Sequence, residues 1–291
     1  MKMQLYTEQA ARQRIRDLVR CTQAAAGLTE MPPYTGGEHP IANHLGIVIK
    51  ETGLPLGDEG QYIPGTPPCI VINSAIGDPE RRNFTFFHEI AHHLLRTDDS
   101  LYSFLHEYAA TDDQCFDTVI EQYCNMGAAE FLMPAVTIRE LIDQRGFSIR
   151  LIEDLESLCP ASKPAIAIQL AHCATHQCFV VVCEWGEPPR KPTPQTAFIS
   201  STPQRPQLYV LYAARSPSTK YAIGRFVPVP SDHVISLAYE TQCMIKDVAP
   251  ILFRSGNREW KCECEAFYYK GKVYAVFNVS SPIPPGQLGL F

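Results

Sequence analysis

Apolar positions recur along this chain in two rhythms, a helical one through its first half and an alternating one towards its end. From Thr7 to Ala26, Ala11, Ile15, Leu18 and Val19 fall at helical spacing with no Gly or Pro between them, which predicts a helix capped by Thr7 and ended at Gly27. Prolines and glycines mark 28–40 as a loop, and apolar runs over 45–50 and 68–73, with a shorter one over 61–63, predict a small sheet. Phe84 to Leu95 then reads as an uninterrupted helix, and 96–113, polar and mixed, as a loop over the cleft beside it. A second helix is expected over Asp117–Met133, followed by three short ones over 135–145, 148–158 and 161–174, broken at Gly146-Phe147 and Cys159-Pro160. After Phe179 the pattern changes to strands over 179–183, 208–213, 259–269 and 273–278, with a Pro-rich excursion over 188–206 and a helix over 233–239. Tyr268 to Tyr274, centred on Lys270-Gly271, reads as a hairpin.

These elements predict an α+β, multidomain protein. The divisions expected are 1–134, with a sheet leading into the two long helices; 135–176, a helix-turn-helix-like module; 177–279, a separate α+β domain; and 280–291, a Pro/Gly-rich tail.

Composition narrows the function classes. The net charge of −6 and the pI near 5.9 argue against electrostatic wrapping of nucleic acid, which needs a basic surface. The stretch Ser162 to Leu170 offers one Lys and no Arg, so packing or substrate docking is expected of it and direct DNA binding is not. No run of 18 apolar residues occurs and the first residues lack an apolar signal segment, which predicts a cytoplasmic protein that makes no use of a membrane. The 11 cysteines are odd in number and scattered, as expected of reduced, buried small side chains. His172, His176, Cys173 and Cys178 lack a partner pair at zinc-finger spacing, and Cys262 and Cys264 fall on one face of an expected strand as half-buried residues, so both groups are read as structural.

The chemistry is concentrated in His88-Glu89-Ile90-Ala91-His92. On a helix the two histidines share a face one turn apart and can both turn a nitrogen to one metal ion, while Glu89 stays off the metal yet within reach of a water bound to it. Two neutral nitrogen ligands and a carboxylate general base are the equipment of a zinc hydrolase. A catalytic zinc also needs a third protein ligand, and Glu121, on the same face of the next helix as Cys124 and Ala128, is the candidate, with Asp117 one turn earlier as runner-up. Manganese also suits a site with an oxygen ligand. His93 must point away from the metal face.

The run Asn83 to Leu95, with the segment Val119 to Pro134 and its Glu-Phe-Leu-Met-Pro ending, resembles the ImmA/IrrE family of zinc metallopeptidases. The three-part layout is similar to its IrrE (PprI) type, in which a zincin-like peptidase domain is followed by a helix-turn-helix-like segment and a GAF-like sensor domain. By position the resemblance assigns His88, His92 and Glu121 to the metal and Glu89 to catalysis. It implies a site-specific endopeptidase that cleaves a helix-turn-helix (XRE-type) transcriptional repressor and so releases a DNA-damage or stress response.

A rival reading is a non-enzymatic, DNA-binding transcriptional regulator with a ligand-sensing last domain. The final residues add a candidate partner, because Gln287-Leu288-Gly289-Leu290-Phe291 resembles the Gln-Leu-x-Leu-Phe peptide by which bacterial polymerases and repair proteins bind the replication sliding clamp. In that reading Leu290 and Phe291 fill an apolar pocket, and Gln287 makes the polar contact.

Overall fold

The computed structural model describes residues 7–29, 32–111, 115–189, 205–253 and 260–279. The tail, and with it the clamp-binding reading of Gln287, Leu288, Leu290 and Phe291, lies outside them. The chain divides into two compact units, residues 1–134 with 158–162, and residues 135–157 with 163–291. Both mix helices with one sheet, as expected of an α+β protein. Among the described residues no helix is long and apolar enough to cross a membrane.

In the first unit, α1 (Glu8–Ala25) starts where the Thr7 hydroxyl accepts the Ala10 N–H at 3.2 Å. After α2 (Pro40–His44), strands β1 (Val48–Thr52), β2 (Gly60–Ile63) and β3 (Cys69–Asn73) form a sheet of order β1-β3-β2, β1 parallel and β2 antiparallel to β3. Apolar Ile70, Val71 and Ile72 put β3 at the buried centre and leave β2 on an edge.

Helix α3 (Pro79–Thr97) is started by Asp78, whose carboxylate accepts the Glu80 and Arg81 N–H groups at 2.9 and 3.3 Å. It buries Phe86, Phe87, Ile90, Ala91, Leu94 and Leu95. Helix α5 (Phe116–Leu132) crosses it closely, because a Cβ added at Gly127 would stand 2.8 Å from the Ala91 Cβ. That close crossing lets side chains of α3 and α5 share one site.

The expectation of a loop over 96–113 is overturned, since Asp99–Thr111 forms helix α4. Leu101, Leu105 and Ala109, four apart, make a buried stripe that the many polar neighbours obscure in the sequence. The Asp98 carboxylate accepts the Leu101 N–H at 2.9 Å and pairs with Arg14 at 2.7 Å.

The second unit holds α6 (Ala135–Arg145), α7 (Leu151–Leu158, its last residue assigned to the first unit), α8 (Lys163–Cys173) and α9 (Val234–Thr241). Its sheet is antiparallel throughout, of order β5-β4-β8-β7-β6, from β4 (Cys178–Gly186), β5 (Gln207–Arg215), β6 (Ile245–Pro250), β7 (Lys261–Tyr269) and β8 (Lys272–Asn278). The sequence reading does not anticipate β6, an edge strand whose exposed Lys246, Asp247 and Val248 lack the apolar alternation of a half-buried strand. The β7–β8 turn forms at Lys270 and Gly271, both at positive φ (45° and 83°), which glycine adopts without strain.

Helix α8, where a reading helix would have to lie, has no exposed residue from Lys163 to Ala171. Its Lys163 is buried in an ion pair with Glu156, with its ammonium 4.2 Å from the Tyr269 ring centroid. The segment before α7 is tied to the sheet by Glu265, which accepts the Ser148 hydroxyl at 2.6 Å and the Ile149 N–H at 3.0 Å, and by Asn278, whose amide donates to the Phe147 carbonyl at 3.3 Å. Cys262 and Cys264 are buried on β7, and His176 lies 3.0 Å from Asn278 Oδ1 and packs on Phe147.

Candidate metal centre

One helical turn on α3 brings the His88 and His92 rings to 4.9 Å between centroids, with their Nε2 atoms 3.1 Å apart. The close crossing of α5 then places the Glu121 carboxylate over both. Its Oε2 lies 3.1 Å from His88 Nε2, and its Oε1 lies 3.3 Å from His92 Nε2. Ligands held at roughly 2.0–2.1 Å around a tetrahedral ion are roughly 3.3–3.4 Å from one another, so the spacing of these three groups fits a first-row divalent metal. Burial keeps both imidazoles below their ordinary pKa, against the opposing pull of Glu121, and a neutral imidazole is the form that binds metal.

Asn125, one turn beyond Glu121 on α5, meets the other nitrogen of His88, its Oδ1 3.0 Å from Nδ1. With Nδ1–H donating to that oxygen, the Nε2 lone pair is left facing Glu121 and His92. Cys124 lies beside them with no exposed surface, and its Sγ belongs to a cluster with one nitrogen each of His88 and His92, all within 4.8 Å of one another. Burial first, then the nearby Glu121 and Glu89, push its thiol far above the usual range. Asp117, by contrast, lines a neighbouring cavity.

Glu89 borders the same cleft on the side of β2 and is only 6% exposed. Burial raises its pKa to about 7, while a hydrogen bond from the Tyr62 main chain opposes the rise. Gly60 makes this approach possible, since a Cβ there would stand 2.6 Å from Thr85 Cγ2 and 2.9 Å from Glu89 Oε1. His93 points away from the metal face, as anticipated, and meets the Tyr62 hydroxyl through Nδ1 at 3.0 Å.

The cleft enclosing these groups has a volume of about 500 Å³ and is bordered by Gly60, Tyr62, Thr85, Arg96 and Asn125. Two nitrogens, a carboxylate opposite them and a second, buried carboxylate of raised pKa can together hold a metal ion and move a proton beside it. The sequence reading brought His88, Glu89, His92 and Glu121 to one place but passed over Gly60, Tyr62 and Asn125, and saw Cys124 only as a small packing residue. Asn125 had a signal, its position four residues after Glu121; Gly60 and Tyr62 had none, because a short apolar strand does not reveal which helix residue it covers.

The family model Peptidase_M78, described as the IrrE N-terminal-like domain, matches residues 42–170. The radiation response metalloprotease IrrE of Deinococcus radiodurans is 31% identical over 281 residues, 96% of this chain and 80% of that protein. The protein of the same description from Deinococcus deserti is 32% identical over 240 residues, 82% of this chain and 79% of its own length. Among solved structures, a Mycobacterium tuberculosis transcriptional regulator superposes with a TM-score of 0.55 at 15% identity, over 91% of this chain and 76% of that one, a likeness of fold alone.

Proposed function

The chain belongs to the ImmA/IrrE family of metallopeptidases, and from that premise we propose that it is a zinc endopeptidase acting on a protein substrate, with His88, His92 and Glu121 as metal ligands and Glu89 as general base. The observation that carries the assignment is the convergence of the two Nε2 atoms and the Glu121 carboxylate at 3.1–3.3 Å. Zinc or manganese held by these three residues would supply a Lewis acid for a carbonyl and for a water.

Glu89 takes the proton of the attacking water and delivers it to the leaving nitrogen, a relay suited to a carboxyl poised near neutrality. Asn125 keeps His88 in the tautomer that presents Nε2. The β2 edge, whose Gly60 and Tyr62 border the cleft, supplies main-chain groups for an extended substrate segment. Glu121 is favoured over Cys124 as third ligand because its two carboxylate oxygens stand 3.1 and 3.3 Å from the two Nε2 atoms, on the side of the histidines that borders the cleft.

The substrate we propose is a helix-turn-helix (XRE-type) repressor, whose cleavage switches on a DNA-damage response in the cytoplasm. This follows from the family resemblance and from the curated relatives, both described as radiation response metalloproteases. The second unit is read as a helix-turn-helix-like segment with a GAF-like regulatory domain. The DNA-binding alternative is disfavoured by the enclosure of α8. The tail residues Gln287, Leu288, Leu290 and Phe291 are proposed, on sequence alone, as a sliding-clamp tether.

The test is incubation of the zinc-loaded protein with repressors of this class from the same organism, followed by mass spectrometry of the products. Cleavage at one bond is expected, and Glu89→Gln should keep its zinc and lose that cleavage. Wild-type cleavage by Glu89→Gln would eliminate the mechanism.

A further inference from the structure

His88, His92 and Arg96 follow one another at four-residue spacing on α3, so Arg96 stands on the helix face that carries the two histidines, one turn or about 6 Å along the axis beyond His92. It borders the metal cleft with Tyr62, and also the smaller cavity that adjoins this cleft beside Asp117. Its charge reaches both walls of the cleft. It adds to the burial that lowers the pKa of His92 on α3, and opposes the burial that raises that of Tyr62 on β2.

Among the described residues Arg96 makes no ion pair, although Glu121 and Asp117 border the same small cavity. Glu121 is turned to the histidines, with its two oxygens 3.1 and 3.3 Å from their Nε2 atoms. The contact Arg96 does make is with the Tyr102 ring, whose centroid lies 6.0 Å from Cζ and which steadies the guanidinium without neutralising it. A basic residue in the last turn of a helix also complements the helix dipole, but that role is met whichever way the side chain points. The placement of Arg96 in the wall of the cleft calls for an anion there.

The other acidic residues of the cleft wall, Asp58 and Glu59, lie towards the opposite end. Glu59 pairs with Arg81 and accepts the Thr85 hydroxyl at 3.3 Å, and Asp58 borders the cleft beside it. Thr85 and Arg96 are eleven residues apart, about 16 Å along the helix, which exceeds the screening length of about 8 Å at physiological salt. These carboxylates therefore do not offset Arg96, and its anion comes from the substrate. A peptide main chain is neutral, and an endopeptidase cuts within a chain, so the anion is a side chain close to the bond that is cut. The planar fork of a guanidinium matches a carboxylate through two parallel hydrogen bonds.

We propose that Arg96 is a specificity-determining residue that binds the carboxylate of an Asp or Glu side chain flanking the scissile bond of the protein substrate. The inference rests on the metallopeptidase reading given above and adds a charge requirement to it.

The test titrates the full-length, zinc-loaded protein by calorimetry with hydroxamates that carry a Glu, Gln, Asp or Asn side chain. Two series are used, N-acetyl amino-acid hydroxamates and malonyl hydroxamates of amino-acid amides, so that the side chain samples each side of the metal. In one series an acidic compound should bind about tenfold more tightly than its amide counterpart, the gain from a hydrogen bond to a charged group, and the gain should shrink as salt is raised. Arg96→Gln should abolish the difference and Arg96→Lys should keep part of it, with zinc content and circular dichroism unchanged in both. Equal affinities for acid and amide in both series, or a preference that survives Arg96→Gln, would overturn the role of Arg96 and leave the metal centre standing. Failure of every hydroxamate to bind the zinc-loaded protein would instead overturn the metallopeptidase reading beneath it.

Discussion

A Cβ added at Gly60 would stand 2.9 Å from Oε1 of Glu89 and 3.0 Å from its Cγ. The strand thus lies against the proposed general base at a distance that only glycine permits, and the same absent atom would meet Thr85 Cγ2 at 2.6 Å. Gly60→Ala should therefore displace Glu89 while leaving His88, His92 and Glu121 in place. We expect zinc content to be unchanged and kcat to fall by about 10²-fold, the scale of a misplacement of roughly 1 Å. Adding Thr85→Ser, which removes the Cγ2 methyl, should recover thermal stability but not rate. A Gly60→Ala protein with wild-type kcat would show that the approach of β2 does not position Glu89.

The contact between Asn125 and His88 makes a different prediction, about affinity. Asn125→Leu removes the acceptor for Nδ1–H and should weaken zinc binding by about 10–100-fold, whereas Asn125→Asp keeps an acceptor and should retain most of it. Competition with a chromophoric chelator measures both. Equal losses in the two variants would point to packing damage instead of tautomer control.

The third ligand can be separated from its neighbours by substitution. Glu121→Ala should lose zinc severely, while Cys124→Ala and Asp117→Ala should remain close to full occupancy in metal analysis. Cobalt-loaded protein should lack the intense near-ultraviolet absorption of a thiolate–cobalt bond. Finding that band, and losing it in Cys124→Ala, would transfer the ligand role from Glu121 to Cys124.

Glu265 makes stability depend on pH. Burial alone would raise its pKa, but the Ser148 hydroxyl, the Lys246 ammonium and the Ile149 N–H stabilise the carboxylate and hold it below the ordinary value. Because the folded pKa is the lower one, the contribution is complete above the unfolded value of about 4.3 and is lost as pH falls through the folded pKa. Urea unfolding of the wild type should show stability declining as pH drops below about 5, with a shallower decline in Glu265→Gln. Glu265→Ala, which strands the Ser148 and Ile149 donors, should cost about 1–3 kcal/mol at pH 7. Parallel pH profiles for wild type and Glu265→Gln would remove Glu265 from this role.

What the sequence by itself determined lies within single elements. The shared face of His88 and His92, the offset of Glu89, the outward turn of His93 and the cap at Thr7 all follow from 3.6 residues per turn and local hydrogen bonding, which need no knowledge of what packs against the helix. Most strands and helices were legible for the same reason. Helix α4 was not, because its stripe of Leu101, Leu105 and Ala109 is narrow and set among polar residues, and neither was β6, whose exposed edge positions carry no alternation. Apart from Glu121, expected beside the histidines because a catalytic zinc needs a third ligand, the residues that meet across elements were decided by the tertiary structure. The seating of Gly60 on Glu89, the turn of Asn125 towards His88, the burial of Cys124 beside the histidines, and the cavity between Leu95, Tyr102, Phe116 and Ile120 depend on how closely α3, α5, α4 and β2 approach. That approach is set by the fit of small and large side chains, such as Gly127 against Ala91, summed over the whole interface. A pattern along one strand or helix records its own periodicity; the distance to its neighbour is a property of both surfaces together.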